Sequence, residues 1–64
     1  MKINDTTIPV PYKKNLLEFL LQNHYHISKI AVELNGEIIP KTSYADVQLT
    51  DSDVVEVVCF VGGG

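Results

Sequence analysis

At 64 residues the chain has room for one domain and one small core, and a domain of this size buries only roughly 60% of its unfolded surface. A hydrophobic content of 45% against 20% charged residues excludes a disordered chain. A net charge of −3, with no basic cluster beyond Lys13-Lys14, excludes a nucleic-acid footprint. The one cysteine, Cys59, cannot close an internal disulfide, which fits a reducing compartment. No apolar run approaches the ~20 residues of a membrane span, and MKINDTT lacks the apolar stretch of a signal peptide. The expectation is a soluble, cytoplasmic domain, monomeric when free.

The chain opens with apolar Met1 and Ile3 alternating with Lys2 and Asn4; Asn4-Asp5 supplies turn chemistry, and Ile8 and Val10 resume the apolar side. This predicts a short hairpin, its Pro9-containing strand at a sheet edge because proline cannot donate to a ladder. KKNLLEFLLQN then predicts the main helix. Leu16, Leu17 and Leu20 form one stripe, Phe19 and Leu21 flank it, and Asn15 with Glu18 could form a capping box. Ile30, Val32 and Leu34 alternate as a half-buried strand. Asn35-Gly36 is a two-residue hairpin signal, Glu37 to Ile39 is the return strand, and Pro40 stops it. Residues 41–53 read as a long connection containing a helical turn, with Tyr44, Val47 and Leu49 as apolar anchors. VVEVVCFV at 54–61 is the most β-prone run and the least amphipathic, as expected of a central strand. The order is ββαββ, an irregular stretch, then β. It predicts an α+β domain over residues 1–61, one main helix on one face of a mixed sheet of four to five strands.

Gly62, Gly63 and Gly64 follow directly on that last strand. Three glycines bury no apolar surface, so a flexible tail at 62–64 is expected, reaching at most ~10 Å beyond the sheet. Without Cβ atoms it can enter a narrow cleft in any backbone conformation and leave the carboxylate of Gly64 open to attack. Those properties suit carboxyl activation by a separate enzyme, with the domain as a handle for positioning.

LNGEIIPK at 34–41, LTDSDVVEVV at 49–58 and FVGGG at 60–64 together resemble the ThiS family of bacterial sulfur carriers, and the likeness extends weakly to LLEFL at 16–20. The resemblance implies a β-grasp (ubiquitin-like) fold whose first and last strands pair in parallel at the sheet centre. It further implies an E1-like adenylating enzyme of the ThiF type that turns the Gly64 carboxylate into an acyl-adenylate with MgATP. Sulfur from a cysteine desulfurase or rhodanese persulfide would give a Gly64 thiocarboxylate, and a thiazole synthase of the ThiG type would take that sulfur into the thiazole of thiamine. ATP and Mg would belong to the activating partner, none to this chain. Asp51-Ser52-Asp53, Lys41 and Tyr44 depart from the family's usual Asp-Gly-Asp, Arg and Trp. The final acceptor stays open: molybdopterin or another sulfur-containing metabolite would use the same chemistry, and a ubiquitin-like modifier would instead join Gly64 to lysines. A plain binding module with an inert tail is the fourth reading.

The remaining candidates reduce to structural roles. Strict alternation about Glu56 puts Val54, Val58 and Phe60 on its face, which predicts a partner-docking surface at Phe60 and Val58 unless the 41–53 connection covers them or a bulge changes parity near the end. Cys59 has apolar neighbours in sequence and reads as structural rather than as a persulfide carrier. His24 and His26 have no further Cys or His to complete a metal site and read as a solvated loop. Asp51 and Asp53 read as a turn before the last strand rather than an acid–base pair. No nucleophile–base pair, phosphate loop or metal cluster appears, so the chain is expected to be a protein co-substrate and not an enzyme.

Overall fold

A computed structural model describes residues 1–60, so the expected domain end at 61 and the tail glycines Gly62, Gly63 and Gly64 lie outside the described residues. The strands β1 (Lys2–Ile3) and β2 (Thr6–Thr7) form the opening hairpin. Its two-residue loop, Asn4 and Asp5, has φ of 49° and 70°, the left-handed values a type I′ turn requires. Strand β3 (Lys14–Asn15) leads into helix α1 (Leu16–Gln22). Strands β4 (Ile30–Leu34) and β5 (Glu37–Ile39) form the second hairpin, and β6 (Gln48–Leu49) and β7 (Val54–Cys59) complete the set. The main sheet has the order β2-β1-β7-β4-β5. β7 pairs in parallel with β1 and antiparallel with β4, so the last strand in the chain is the middle of the sheet.

Local chemistry explains the two ends of α1. The Asn15 side chain accepts a hydrogen bond from the Glu18 backbone N–H at 3.1 Å, satisfying one of the four donors that a helix start leaves free. At the other end His24 adopts φ 64°; its N–H bonds to Leu21 O, and the Tyr25 N–H reaches back to Leu20 O. That bond pair is a Schellman closure with histidine where glycine is usual. The helix is shorter than KKNLLEFLLQN predicts mainly at its start, where Lys14–Asn15 is strand β3 and Asn15 is the N-cap, and it ends at Gln22 because His24 turns left-handed.

Leu16, Phe19 and Leu20 face inward and pack with Ile30, Val32, Val55 and Val57 from the sheet. Leu17 is partly buried against this core, and Leu21, expected to flank the stripe, is 55% exposed. The connection is more ordered than its composition suggests. Lys41–Asp46 winds as a 3-10 helix against α1, and β6 pairs with β3 in a separate two-stranded ladder, Lys14 opposite Leu49. Tyr44 and Leu49 are buried under it. The connection thus closes the helix side of the core, and among the described residues no element covers the other sheet face. β7 is central as expected, but it is not apolar on both faces. Val55 and Val57 are buried while Val54, Glu56 and Val58 are exposed, because a single helical layer covers only one side.

Two asparagines tie β7 into place. Asn4 accepts from the Val57 N–H at 2.8 Å and donates to Val57 O at 3.3 Å, so its side chain prolongs the β1–β7 pairing beyond the backbone ladder. Asn35, at φ 51° beside Gly36 at φ 85°, accepts from Val54 N–H at 2.8 Å and donates to Asp53 at 2.9 Å. The β4–β5 turn is thereby pinned to the start of the central strand.

Candidate functional site

The open face of the sheet is built by strand parity. The β4–β7 register sets Ala31 opposite Val58 and Glu33 opposite Glu56, while β5 sets Ile38 opposite Glu33. Of the residues predicted for docking, Val58 is 57% exposed on this face and Phe60, just past the end of β7, is 52% exposed. Val54 and Ile38 extend it at 44% and 64%. Exposed large apolar side chains gathered on one face of so small a domain make this face the candidate interaction surface. Ile38 and Glu33 join it through the hairpin register, and the Asn-Gly turn was the signal that could have placed them there. The end of β7 is held in position by a 2.7 Å hydrogen bond from Phe60 N–H to Lys29 O. Gly62, Gly63 and Gly64 lie beyond the described residues.

Cys59, whose orientation the sequence left open, is exposed. Alternation turns it toward the helix side, but α1 stops short of the strand end, and a shallow hollow there is lined instead by His24, Tyr25, His26, Lys29, Ile30 and Phe60. Lys29 is thus brought to a cysteine that has no cation near it in sequence. His24 and His26 are exposed, and His24 has its helix-ending role. Among the described residues no group of three or more His, Cys, Asp or Glu side chains converges. The groove on the helix side, bounded by Ile8, Val10, Tyr12 and Phe19, is lined by no carboxylate, histidine or cysteine. No helix among the described residues is long and apolar enough to cross a membrane.

Asp51 and Asp53 organise the turn into β7. Asp51 accepts from the Val10 N–H at 2.9 Å and lies 3.4 Å from the Met1 ammonium; these two donors hold its carboxyl below the usual value. Burial opposes ionisation of Asp53, but bonds from Asn35 and Thr50 outweigh it and hold the pKa below its ordinary 3.8. A carboxyl with a depressed folded pKa contributes stability above its unfolded pKa and loses it as pH falls through the folded value. Asp53→Asn should therefore be less stable than the native chain at neutral pH and converge on it in acid. Urea midpoints between about pH 7 and pH 2 test this, and parallel curves for the two proteins would remove Asp53 from the account.

Among the described residues, a five-stranded mixed sheet with parallel β1–β7 pairing, one α-helix across one face and an uncovered opposite face defines a β-grasp, ubiquitin-like domain. Comparisons with known proteins narrow this. The sequence model of the ThiS family matches residues 2–64. The chain is 47% identical over 58 residues to the sulfur carrier protein ThiS of Bacillus subtilis (strain 168), covering 86% of this chain and 88% of that one. It is 58% identical over 36 residues to a thiazole synthase of Paramagnetospirillum magneticum, covering 56% of this chain but only 11% of that protein. The crystal structure of the thiamine biosynthesis protein ThiS from Geobacter metallireducens superposes with a TM-score of 0.76 at 29% identity, covering 98% of this chain and 96% of that one. The chain belongs to the ThiS family, sulfur carriers of thiamine biosynthesis that are not themselves catalysts.

Proposed function

We propose that Gly64 is the carrying residue and that Gly62 and Gly63 deliver it into the sites of two partner enzymes. In the first, of the ThiF type, the Gly64 carboxylate attacks the α-phosphorus of ATP, releasing pyrophosphate and leaving an acyl-adenylate; the nucleotide and Mg are bound by that enzyme. The terminal sulfur of a persulfide, formed on a cysteine desulfurase or rhodanese, then displaces AMP. A thiol cleaves the resulting acyl disulfide and leaves the Gly64 thiocarboxylate. In the second, a thiazole synthase, that sulfur enters the thiazole ring. The match to a thiazole synthase supports this second partner.

The observation that supports the reading best is the placement of Val58 and Phe60. Val58 is exposed on the open face of the strand that leads into the glycines and Phe60 is exposed just past that strand, so a partner gripping this end of the sheet also receives the tail. The domain supplies orientation and the partner supplies chemistry, the division of labour by which proximity accelerates a bimolecular step.

Intact-mass measurement after incubation with the cognate adenylating enzyme, ATP and a persulfide donor should show one oxygen replaced by one sulfur at Gly64. Lysine conjugates in place of that shift would transfer the chain to the modifier class. An unchanged mass under conditions that activate a known carrier would sink the proposal.

A further inference from the structure

Most of the open face is apolar, yet its centre is acidic. Glu33 on β4 stands directly across from Glu56 on β7, where opposed Cβ atoms sit about 4.5–5.5 Å apart and like charges repel. Ile38 lies beside the pair on β5, Val58 and Ala31 lie one step along, and Val54 lies at the other end. Neither carboxylate has an ion-pair partner among the described residues; Lys2 borders the same groove as Glu56 without pairing with it. A partner that covered this face with apolar groups alone would strip water from two adjacent unpaired anions, which is strongly unfavourable.

Resting on the carrier reading above, we infer that the activating enzyme docks here with an apolar surface that inserts one cation between Glu33 and Glu56. A guanidinium fits best, since its planar fork can donate to both carboxylates at once where an ammonium is a point charge. Charge complementarity selects this partner. An adenylating enzyme must gather a carboxylate and a nucleotide triphosphate at one mouth, so the surface around that mouth is electropositive. Glu56 is four residues before Phe60, which directly follows β7, about 13 Å along an extended chain, so a cation at the rim of the tail-receiving cleft reaches the pair.

The test is to titrate the native chain, Glu33→Gln/Glu56→Gln, Glu56→Lys and Phe60→Ala against the purified cognate adenylating enzyme at low and high salt, with thermal unfolding of each variant alongside. The double glutamine variant should be at least as stable as the native chain, because it relieves a repulsion. It should nonetheless bind about tenfold or more weakly, with a flatter salt dependence. Glu56→Lys should bind more weakly still, and Phe60→Ala should lose affinity while keeping the native salt dependence. Equal affinity and equal salt dependence for the native and double variants would overturn the inference. A loss confined to thiazole synthase binding would overturn the choice of partner. Thiocarboxylate formation on the native chain is read in the same mixtures: its presence alongside an unaffected double variant sinks the carboxylate pair alone, and native protein that neither binds nor reacts sinks both readings.

Discussion

Deleting Gly64, or adding one residue after it, should abolish thiocarboxylate formation and leave the unfolding midpoint unchanged. One residue moves the reacting carboxyl by about 3.3–3.6 Å along an extended arm. A displacement near 1 Å in a positioned reactant already costs roughly a hundredfold in rate, so either change should lower the yield by at least that factor. The fold should be indifferent, since the buried core runs from Met1 to Val57 and the altered residue lies beyond it. The measurement is intact mass under activating conditions together with urea unfolding of each variant. Appreciable thiocarboxylate on either one would place the reactive carbon somewhere other than the Gly64 carboxyl.

Leu20→Ala should have the opposite profile, damaging the fold and reaching function only through it. Leu20 is fully buried, at 0% exposure, and its carbonyl also closes the helix by accepting from Tyr25. Truncating a buried leucine to alanine costs about 2–5 kcal/mol in lost transfer energy and residual cavity. The total stability of a domain is only about 5–15 kcal/mol, and one of this length lies toward the lower end of that range. Much of the folded population should therefore be lost at physiological temperature. Urea unfolding measures the shift; a loss below about 1 kcal/mol would mean that neighbouring side chains collapse into the space. At low temperature, where the variant is folded, it should still accept sulfur, which separates the core from the reactive arm.

What was legible in the sequence was local. Asn35-Gly36 specifies its own turn through backbone φ, Asn15 sits three residues before the N–H it caps, and the leucine stripe follows from helical period. The exposed side of β7 followed from alternation about Glu56. What was hidden depends on residues far apart in the chain. The ladder joining Lys14 to Leu49 has only two residues a side and no pattern of its own. The opposition of Glu33 and Glu56 exists only once β4 and β7 are in register. The setting of Cys59 was hidden because it comes from the segment between His24 and Ile30 and not from its neighbours in β7. His24 carries no glycine-like signal, and only its φ shows that it ends the helix.

The central position of β7 bears on how the molecule is made. A ribosome delivers this strand after every other, yet both β1 and β4 need it as their neighbour, and the β1–β7 pairing joins positions 2 and 54. The nascent chain can preform the β4–β5 hairpin and a frayed α1, but β1 and β4 cannot be joined until β7 has been made. Contacts spanning almost the whole sequence also slow the final closure. Completion of the fold therefore waits on residues 54–59, and a chain cut short before them cannot join its two hairpins into one sheet.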